Sequence, residues 1–280
     1  MRKLPTTGIQ FLENVPTHIG LDIAVNRQKG LRCAIRTPQP DIWEVTLKFR
    51  SEIRLLRDYP FVSILYSQNG LTPEYLFETF LLSMDQARSL SLAFNQAQCV
   101  AIDGPPNLPN AGRRASEERW HNHIIPNIKA KPGGIYWTPS QGEVSAILTA
   151  LFDDAELLTT EQLTQLGQSL WMFVGFWTHT LFRRMGKPTI EVYPAALRAV
   201  CQHIEQSDNY RDELRQHHIN WGGIATEFTP FVTVKSESND AGIACFAAYL
   251  HQIQKTEEIA PNEIVIPLHQ SQPFNNRVHQ

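Results

Sequence analysis

The sequence has few cysteines, and no two of them form a C-x-x-C pair. The four are widely separated along the chain: Cys33, Cys99, Cys201 and Cys245. Three of them lie in apolar segments, where a reduced, buried thiol is the expected state. No apolar run of the signal-peptide kind follows MRKLPTTGIQ, and the most apolar helical run, residues 170–182, is too short to span a bilayer. The sequence therefore predicts a reduced, cytoplasmic protein without a membrane partner.

An excess of charge of either sign is also absent. Charged residues make up 19% of the 280 residues, and the formal net charge is −3. This balance gives no general attraction to nucleic acid or anionic membranes, although a local basic groove is compatible with it. Hydrophobic residues make up 42% of the chain, which is typical of a soluble globular protein with a sizeable core.

Three apolar segments near the N-terminus predict strands with short connections. They are residues 18–25, 30–37 and 42–49. Because such short connections join antiparallel neighbours, the three segments predict a meander. Two further predicted strands, 99–103 and 189–194, each follow a helical pattern, so we expect them to run parallel to an earlier strand.

The helical patterns complete the predicted architecture. One spans residues 74–98, with an apolar stripe that includes Met84 and Leu90; another ends near Gly186, and a closing helix spans residues 239–253. The order β-β-β-α-β-α-β-α is typical of the ribonuclease H-like fold. It predicts an α/β domain with a mixed five-stranded sheet, in the order 3-2-1-4-5, and helices on both faces.

Changes in composition suggest the domain limits. Residues 1–16 are polar and punctuated by prolines, which predicts a flexible N-terminal arm. Residues 17–254 form the predicted domain, with an insertion at about 104–140 that is rich in Pro, Gly and Asn. Residues 255–280 are interpreted as a C-terminal extension, in which EIVIPL is a candidate for an additional strand.

Four acidic residues occupy unusual places in this scheme. Asp22 lies inside the first strand, Asp103 ends the fourth, Glu191 lies in the fifth, and Asp240 opens the closing helix. Each has a plain structural explanation: a backbone hydrogen bond for Asp22, a cap on the following turn for Asp103, a charged edge for Glu191 and a helix cap for Asp240. Aspartate is nevertheless costly inside a strand, and ligands collect at the carboxyl edge of open α/β sheets.

Carboxylates brought together at that edge would repel one another and raise each other's pKa. A divalent cation relieves this repulsion, and Mg²⁺ and Mn²⁺ prefer oxygen ligands. Asp22, Asp103 and Asp240 are therefore predicted metal ligands, and Glu191 is a predicted ligand or water-positioning residue. The turn Gly104-Pro105-Pro106 would take the backbone away from Asp103 and leave room for a metal and a phosphate.

The same segments resemble a known family. VAIDGPPNLP, an R-x-x-E pair at Arg114 and Glu117, IEVYPAA, and DAGIACFAA occur in the order seen in the domain-of-unknown-function 429 group of predicted ribonuclease H-like nucleases. The resemblance extends from about His18 to Ala248. It implies a metal-dependent nuclease-like site with Asp22, Asp103, Glu191 and Asp240 at its acidic positions, and with Arg114 and Glu117 as a polar pair in the insertion.

The predicted contacts to substrate are Glu117 and basic residues of the insertion. Arg113, Arg114 and Arg119, together with Trp120, are candidates to hold a phosphate backbone and to stack on a base; the alternative is a solvated basic surface. The predicted substrate is a nucleic acid or a small phosphoester, and no signal indicates an oligomeric state.

Three functions are compatible with these residues. The first is a Mg²⁺- or Mn²⁺-dependent nuclease or phosphodiesterase. The second is a catalytically inactive module of the same fold that binds nucleic acid or nucleotides, which the slightly negative charge favours. The third is an actin-like phosphotransferase, which usually has a Gly/Thr-rich hairpin after the first aspartate; this chain has DIAVNRQKG there, and we rank this function last.

Overall fold

The computed structural model describes residues 2–3, 15–23, 31–37, 42–47, 83–121, 138–143, 146, 172, 175–176, 178–206 and 240–267. The strands are β1 (Arg2–Lys3), β2 (Thr17–Ile23), β3 (Leu31–Arg36), β4 (Ile42–Leu47), β5 (Ala97–Asp103), β6 (Thr189–Val192), β7 (Thr256–Glu258) and β8 (Val265–Pro267). The helices are α1 (Met84–Asn95), α2 (Ala115–His121), α3 (178–184, with residues 172 and 175–176 also helical), α4 (Pro194–Gln206) and α5 (Asp240–Gln252).

The main sheet has the order β1-β4-β3-β2-β5-β6. Strand β3 is antiparallel to both β2 and β4, whereas β2, β5 and β6 run parallel to one another. The predicted α/β class and the predicted order of five strands are therefore confirmed. A sixth strand was not expected: Arg2–Lys3, within the predicted arm, pairs in parallel with β4 at the edge.

Helices cover both faces of this sheet, because its central strands are apolar on both sides. On one face, Ala101 and Val192 pack against buried residues of α4 and α5. On the other face, Leu21 and Ile102 pack against Leu90 of α1 and other apolar residues of α1 and α3. Adjacent strand residues thus enter different cores, which makes it possible to assign each functional side chain to a face.

Local signals explain where two helices begin and end. Ser83 caps α1 and forms a reciprocal capping box with Gln86, so the described helix begins at Met84. Met84 was placed on the apolar stripe, but it is 90% exposed because it lies in the first turn, ahead of the packed part of the helix. The stop predicted near Gly186 is confirmed: the turn at 185–186 ends α3, and Gly186 has a φ of 70°.

The hairpin β7–β8 follows α5 closely and forms a separate two-stranded sheet. Ile259, Val265 and Ile266 are buried in the same core as α4 and α5. Part of the segment interpreted as a C-terminal extension therefore packs onto the domain. Within the described ranges, no helix combines the length and apolar character needed to cross a membrane.

Candidate functional site at the carboxyl edge of the sheet

Asp22 and Asp103 are direct neighbours across two parallel strands. The register pairs Asp22 of β2 with Asp103 of β5, so both side chains lie on the same face of the sheet. That face is the one covered by α4 and α5. Asp22 is 7% exposed, and its carboxylate lies 3.8 Å from the guanidinium of Arg32, its neighbour on β3. The sequence-based expectation that these two acids meet at one edge is consistent with this register.

Helix α5 brings Asp240 to the same edge because Gly20 lets the helix approach β2 closely. A Cβ atom at Gly20 would lie 2.1 Å from the carbonyl oxygen of Ala241 and 2.1 Å from the amide nitrogen of Cys245. The helix backbone therefore lies directly over β2. Asp240, its first residue, is ion-paired with Arg198 of α4.

The electrostatic surroundings of Asp103 are strongly acidic. Burial raises its pKa well above the ordinary value, although part of the residue remains exposed, and the carboxylates of Asp22, Asp240 and Glu191 raise it further. Arg198 opposes this effect. Among the residues that the structure describes, no cation lies within ion-pairing distance of Asp103. Its negative charge is thus the least compensated at this edge.

Glu191 lies on the opposite face of the sheet from the two aspartates. Glu191 pairs with Ile102 of β5, whereas Asp103 pairs with Val192 of β6. Burial raises the pKa of Glu191, and a bidentate pair with Arg114 offsets only part of this effect. The four acids predicted for the site therefore do not share one face.

Arg114 is the centre of a buried network and is not a surface cation. It is 6% exposed and also lies 3.6 Å from the carboxylate of Glu117, which is 2% exposed and accepts hydrogen bonds from Thr138. Burial raises the pKa of Glu117. Glu263 contributes a further carboxylate, which accepts a hydrogen bond from a backbone amide of α2. A phosphate contact by Arg114 would require the Glu191 pair to open, so this predicted role remains a prediction.

The other basic residues of the insertion do not form one surface with Arg114. Arg113 is exposed, whereas Arg119 is half-buried and donates to the carbonyl oxygen of Ile259. Trp120 is buried and packs edge-to-face against Tyr193, with the ring centroids 5.8 Å apart. Base stacking by Trp120 would require it to leave the core.

The turn after Asp103 is covered by protein. Gly104, Pro105 and Pro106 are all buried, so the turn does not open the edge in the way predicted from its prolines. His179 of α3 contacts the carbonyl oxygen of Gly104, at 3.0 Å. The turn is therefore held beneath α3.

Three residues of this region could not be predicted from the sequence: Arg32, His179 and Arg198. Each acts through a partner on another element, and no local spacing signals such a pair. Arg198 lies one helical turn after Pro194, at the start of α4. Its position in sequence shortly after Glu191 is the one signal that could have indicated a role at this edge.

The chemistry of Asp22 and Asp103 fits a hard divalent cation, since both offer carboxylate oxygens on one face. Asp240 can complete the set through the oxygen that Arg198 does not engage, or through both oxygens if Arg198 releases it. In keeping with this, no group of three His, Cys, Asp or Glu side chains in the described ranges is already arranged to hold a metal ion. Glu191 does not fit the same set, because Arg114 engages it on the other face.

Comparisons of the chain with models of protein families, with curated proteins and with solved structures found no match. The geometry of the carboxyl edge therefore carries the functional argument.

Proposed function

We propose that this chain is a ribonuclease H-like hydrolase of phosphodiester bonds that depends on Mg²⁺ or Mn²⁺. One observation carries the proposal: Asp22 and Asp103 face each other across β2 and β5, under the helix that begins with Asp240. The strand order β4-β3-β2-β5-β6 supports the fold assignment. The resemblance to the domain-of-unknown-function 429 group points to the same acids.

The proposed roles follow from how far each acid is already neutralised. Asp22 and Asp103 would hold the cation, and Asp240 would be the third carboxylate available to it. A divalent cation held there supplies water activation and stabilisation of the leaving oxygen. Glu191 keeps Arg114 in place and does not act as a ligand. We infer that the protein acts on a nucleic acid or a small phosphoester in the cytoplasm. The four cysteines are buried and none forms a disulfide, which is consistent with a reducing compartment.

The metal site is tested by thermal melts in chelator and in Mn²⁺. Asp103→Asn removes a carboxyl group whose ionised form is disfavoured in the fold, so we expect the metal-free variant to be at least as stable as the wild type. We expect both Asp103→Asn and Asp22→Asn to lose the Mn²⁺-induced rise in melting temperature, because a cation that binds only the native state stabilises it by mass action.

Glu118→Gln is the matched control, since Glu118 is an exposed carboxylate on α2. It should keep the full metal response. If Asp22→Asn and Asp103→Asn lower the melting temperature equally with and without metal, and the response to Mn²⁺ persists, these aspartates are structural and the proposal is wrong.

A second function, binding without hydrolysis, is favoured by the ion pair between Arg198 and Asp240. The guanidinium of Arg198 neutralises the carboxylate of Asp240, which a bound metal ion would otherwise do. Arg198→Gln distinguishes the two functions. For a metal enzyme, the variant should respond to lower Mn²⁺ concentrations than the wild type, because Asp240 becomes available. For an inactive module in which Arg198 has taken the place of the metal, the variant should lose stability in chelator and in Mn²⁺ alike.

The substrate class is tested separately, by incubation in Mn²⁺ with labelled single-stranded and double-stranded DNA, RNA, hybrid and branched substrates. Cleavage of any of these that Asp103→Asn abolishes supports the nuclease. A metal response without turnover on the panel, together with retained binding, would instead support the inactive module. The phosphotransferase alternative depends on residues 24–30, which lie outside the described residues.

A further inference from the structure

Gly175, which is helical, and helix α3 lie unusually close to the turn that follows Asp103. A Cβ atom at Gly175 would be 3.3 Å from the Cα atom of Gly104 and 3.3 Å from the carbonyl oxygen of Pro105. Few side chains tolerate contacts that short, so the absence of a side chain at Gly175 is what allows the helix backbone to touch the turn. Residue 179 lies one helical turn later, on the same side of the helix.

His179 fills that position and is completely buried. Its Nε2 lies 3.0 Å from the carbonyl oxygen of Gly104, and its Nδ1 lies 3.0 Å from Oγ1 of Thr189. A carbonyl oxygen only accepts, so Nε2 must carry the hydrogen. Burial lowers the pKa of His179 to about 3, which leaves the ring neutral and Nδ1 an acceptor.

The direction of the remaining hydrogen bonds is then fixed. The hydroxyl of Thr189 donates to Nδ1 of His179, and Nε of Arg183 donates to the oxygen of Thr189 at 3.2 Å. Three residues on α3 and β6 thus form a chain of hydrogen bonds that ends on the carbonyl oxygen of Gly104. In this series of hydrogen bonds, the donor and the acceptor of each bond are thus determined.

The turn itself is tight and directly continuous with the candidate site. The amide of Gly104 donates to the carbonyl oxygen of Ile102, at 3.0 Å, across Asp103. The conformation of Gly104 therefore determines how the backbone leaves Asp103. We propose that His179 is a positioning residue that fixes the turn after Asp103 and, through it, the carboxylate of Asp103 at the sheet edge. The second part rests on the proposed metal site, whereas the first does not.

Two variants of His179 separate positioning from simple core packing. His179→Gln keeps a donor near the place of Nε2, and His179→Leu removes it while retaining an apolar side chain. Leu181→Ala is the matched control, because Leu181 is equally buried two residues away on the same helix, in the core formed with α1. It should lower global stability without touching the turn.

The first measurement is hydrogen exchange at the amide of Gly104, normalised to amides of β2. We expect His179→Leu to accelerate it about tenfold, corresponding to loss of one hydrogen bond. His179→Gln should restore most of the protection, and Leu181→Ala should leave the normalised rate unchanged. Unchanged exchange in His179→Leu, or equal acceleration in Leu181→Ala, would overturn the proposal.

The second measurement is the Mn²⁺ concentration that gives half of the maximal rise in melting temperature. It should increase about tenfold in His179→Leu and recover in His179→Gln. If Gly104 exchange responds but this concentration does not change, the effect of His179 ends at the turn and the claim about Asp103 is wrong. If the wild type itself shows no metal response, the proposed function fails, while the exchange result still decides the role of His179 in the turn.

Discussion

Replacement of Arg114 is the most direct test of the buried network behind the sheet edge. Arg114→Met keeps most of the side-chain volume and removes the charge, which leaves the carboxylates of Glu191 and Glu117 buried without it. Glu191 is 6% exposed and Glu117 is 2% exposed, so water cannot replace the lost partner. Breaking a buried pair in this way typically costs about 3–5 kcal/mol, and we expect a loss of this size in urea unfolding at pH 7.

The loss should depend on pH in a defined direction. Burial already raises the pKa of Glu191 above its ordinary value of 4.5, and removal of Arg114 raises it further. The folded variant then holds a proton that the unfolded chain releases, so its stability falls as pH rises above 4.5 and recovers as pH falls towards it. The difference from the wild type should therefore be largest at neutral pH and should shrink on acidification.

Two companions make the measurement specific. Arg113→Met changes the exposed neighbour on the same segment and should alter stability by no more than about 0.5 kcal/mol. Adding Glu191→Gln to Arg114→Met should restore part of the lost stability, since one buried charge disappears. A loss in Arg114→Met no larger than in Arg113→Met would refute the buried-pair argument. A normal stability with a nucleic-acid salt dependence reduced by about one phosphate contact would instead assign Arg114 to substrate binding.

Substitutions at three positions also have expected outcomes. Gly20→Ala should cost about 3 kcal/mol or more in urea unfolding, because its Cβ would overlap backbone atoms of Ala241 and Cys245. Ser83→Ala should cost about 1 kcal/mol by removing the cap of α1, and Ser83→Asp should retain most of it. The pKa of His179 is about 3 in the fold and 6.5 in the unfolded chain, so the free energy of unfolding should decrease as pH falls below 6.5, by up to about 1.4 kcal/mol per pH unit. His179→Gln should remove this contribution. An unchanged pH slope in the variant would contradict the assignment of a neutral ring.

The strand order could be predicted from sequence because local features determine it. The first three strands are joined by short connections, which leave no alternative to antiparallel neighbours. The apolar run that ends in Asp103 comes after a helical crossover, which places it in parallel beside β2. Since both runs carry their aspartate near the carboxyl end, the two acids were expected to meet.

The position of Glu191 could not be predicted in the same way. Strand β6 has four residues, and Ile190 and Val192 on either side of Glu191 are buried, as Glu191 is. A strand buried on both faces has no alternation of polar and apolar residues from which to assign a face. The assignment depends on whether residue 191 or residue 192 pairs with Asp103, and one residue of register reverses the answer. Its partner Arg114 is 77 positions away in sequence, which no local pattern connects.

The carboxyl edge differs from an ordinary network of buried ion pairs in that its acidic residues are not all matched by basic ones. In the described part of the chain, three of its acids meet an arginine: Asp22 faces Arg32, Asp240 pairs with Arg198, and Glu191 pairs with Arg114. The fourth, Asp103, has no such partner there, and its neighbours disfavour its ionised form.

A network that served stability alone would gain from one more arginine or one fewer aspartate at this point, because an uncompensated charge weakens a fold. The excess carboxylate instead stands where two parallel strands end, beside an aspartate on the same face. Since no cation of the described residues pairs with Asp103, a proton or a bound cation is what neutralises it in this part of the structure. If a proton neutralised Asp103, an asparagine would serve equally well at this position. A divalent cation, in contrast, makes use of the negative charge of the carboxylate. That difference is why Asp103→Asn, rather than any substitution of an arginine, is the substitution on which the proposed function most depends.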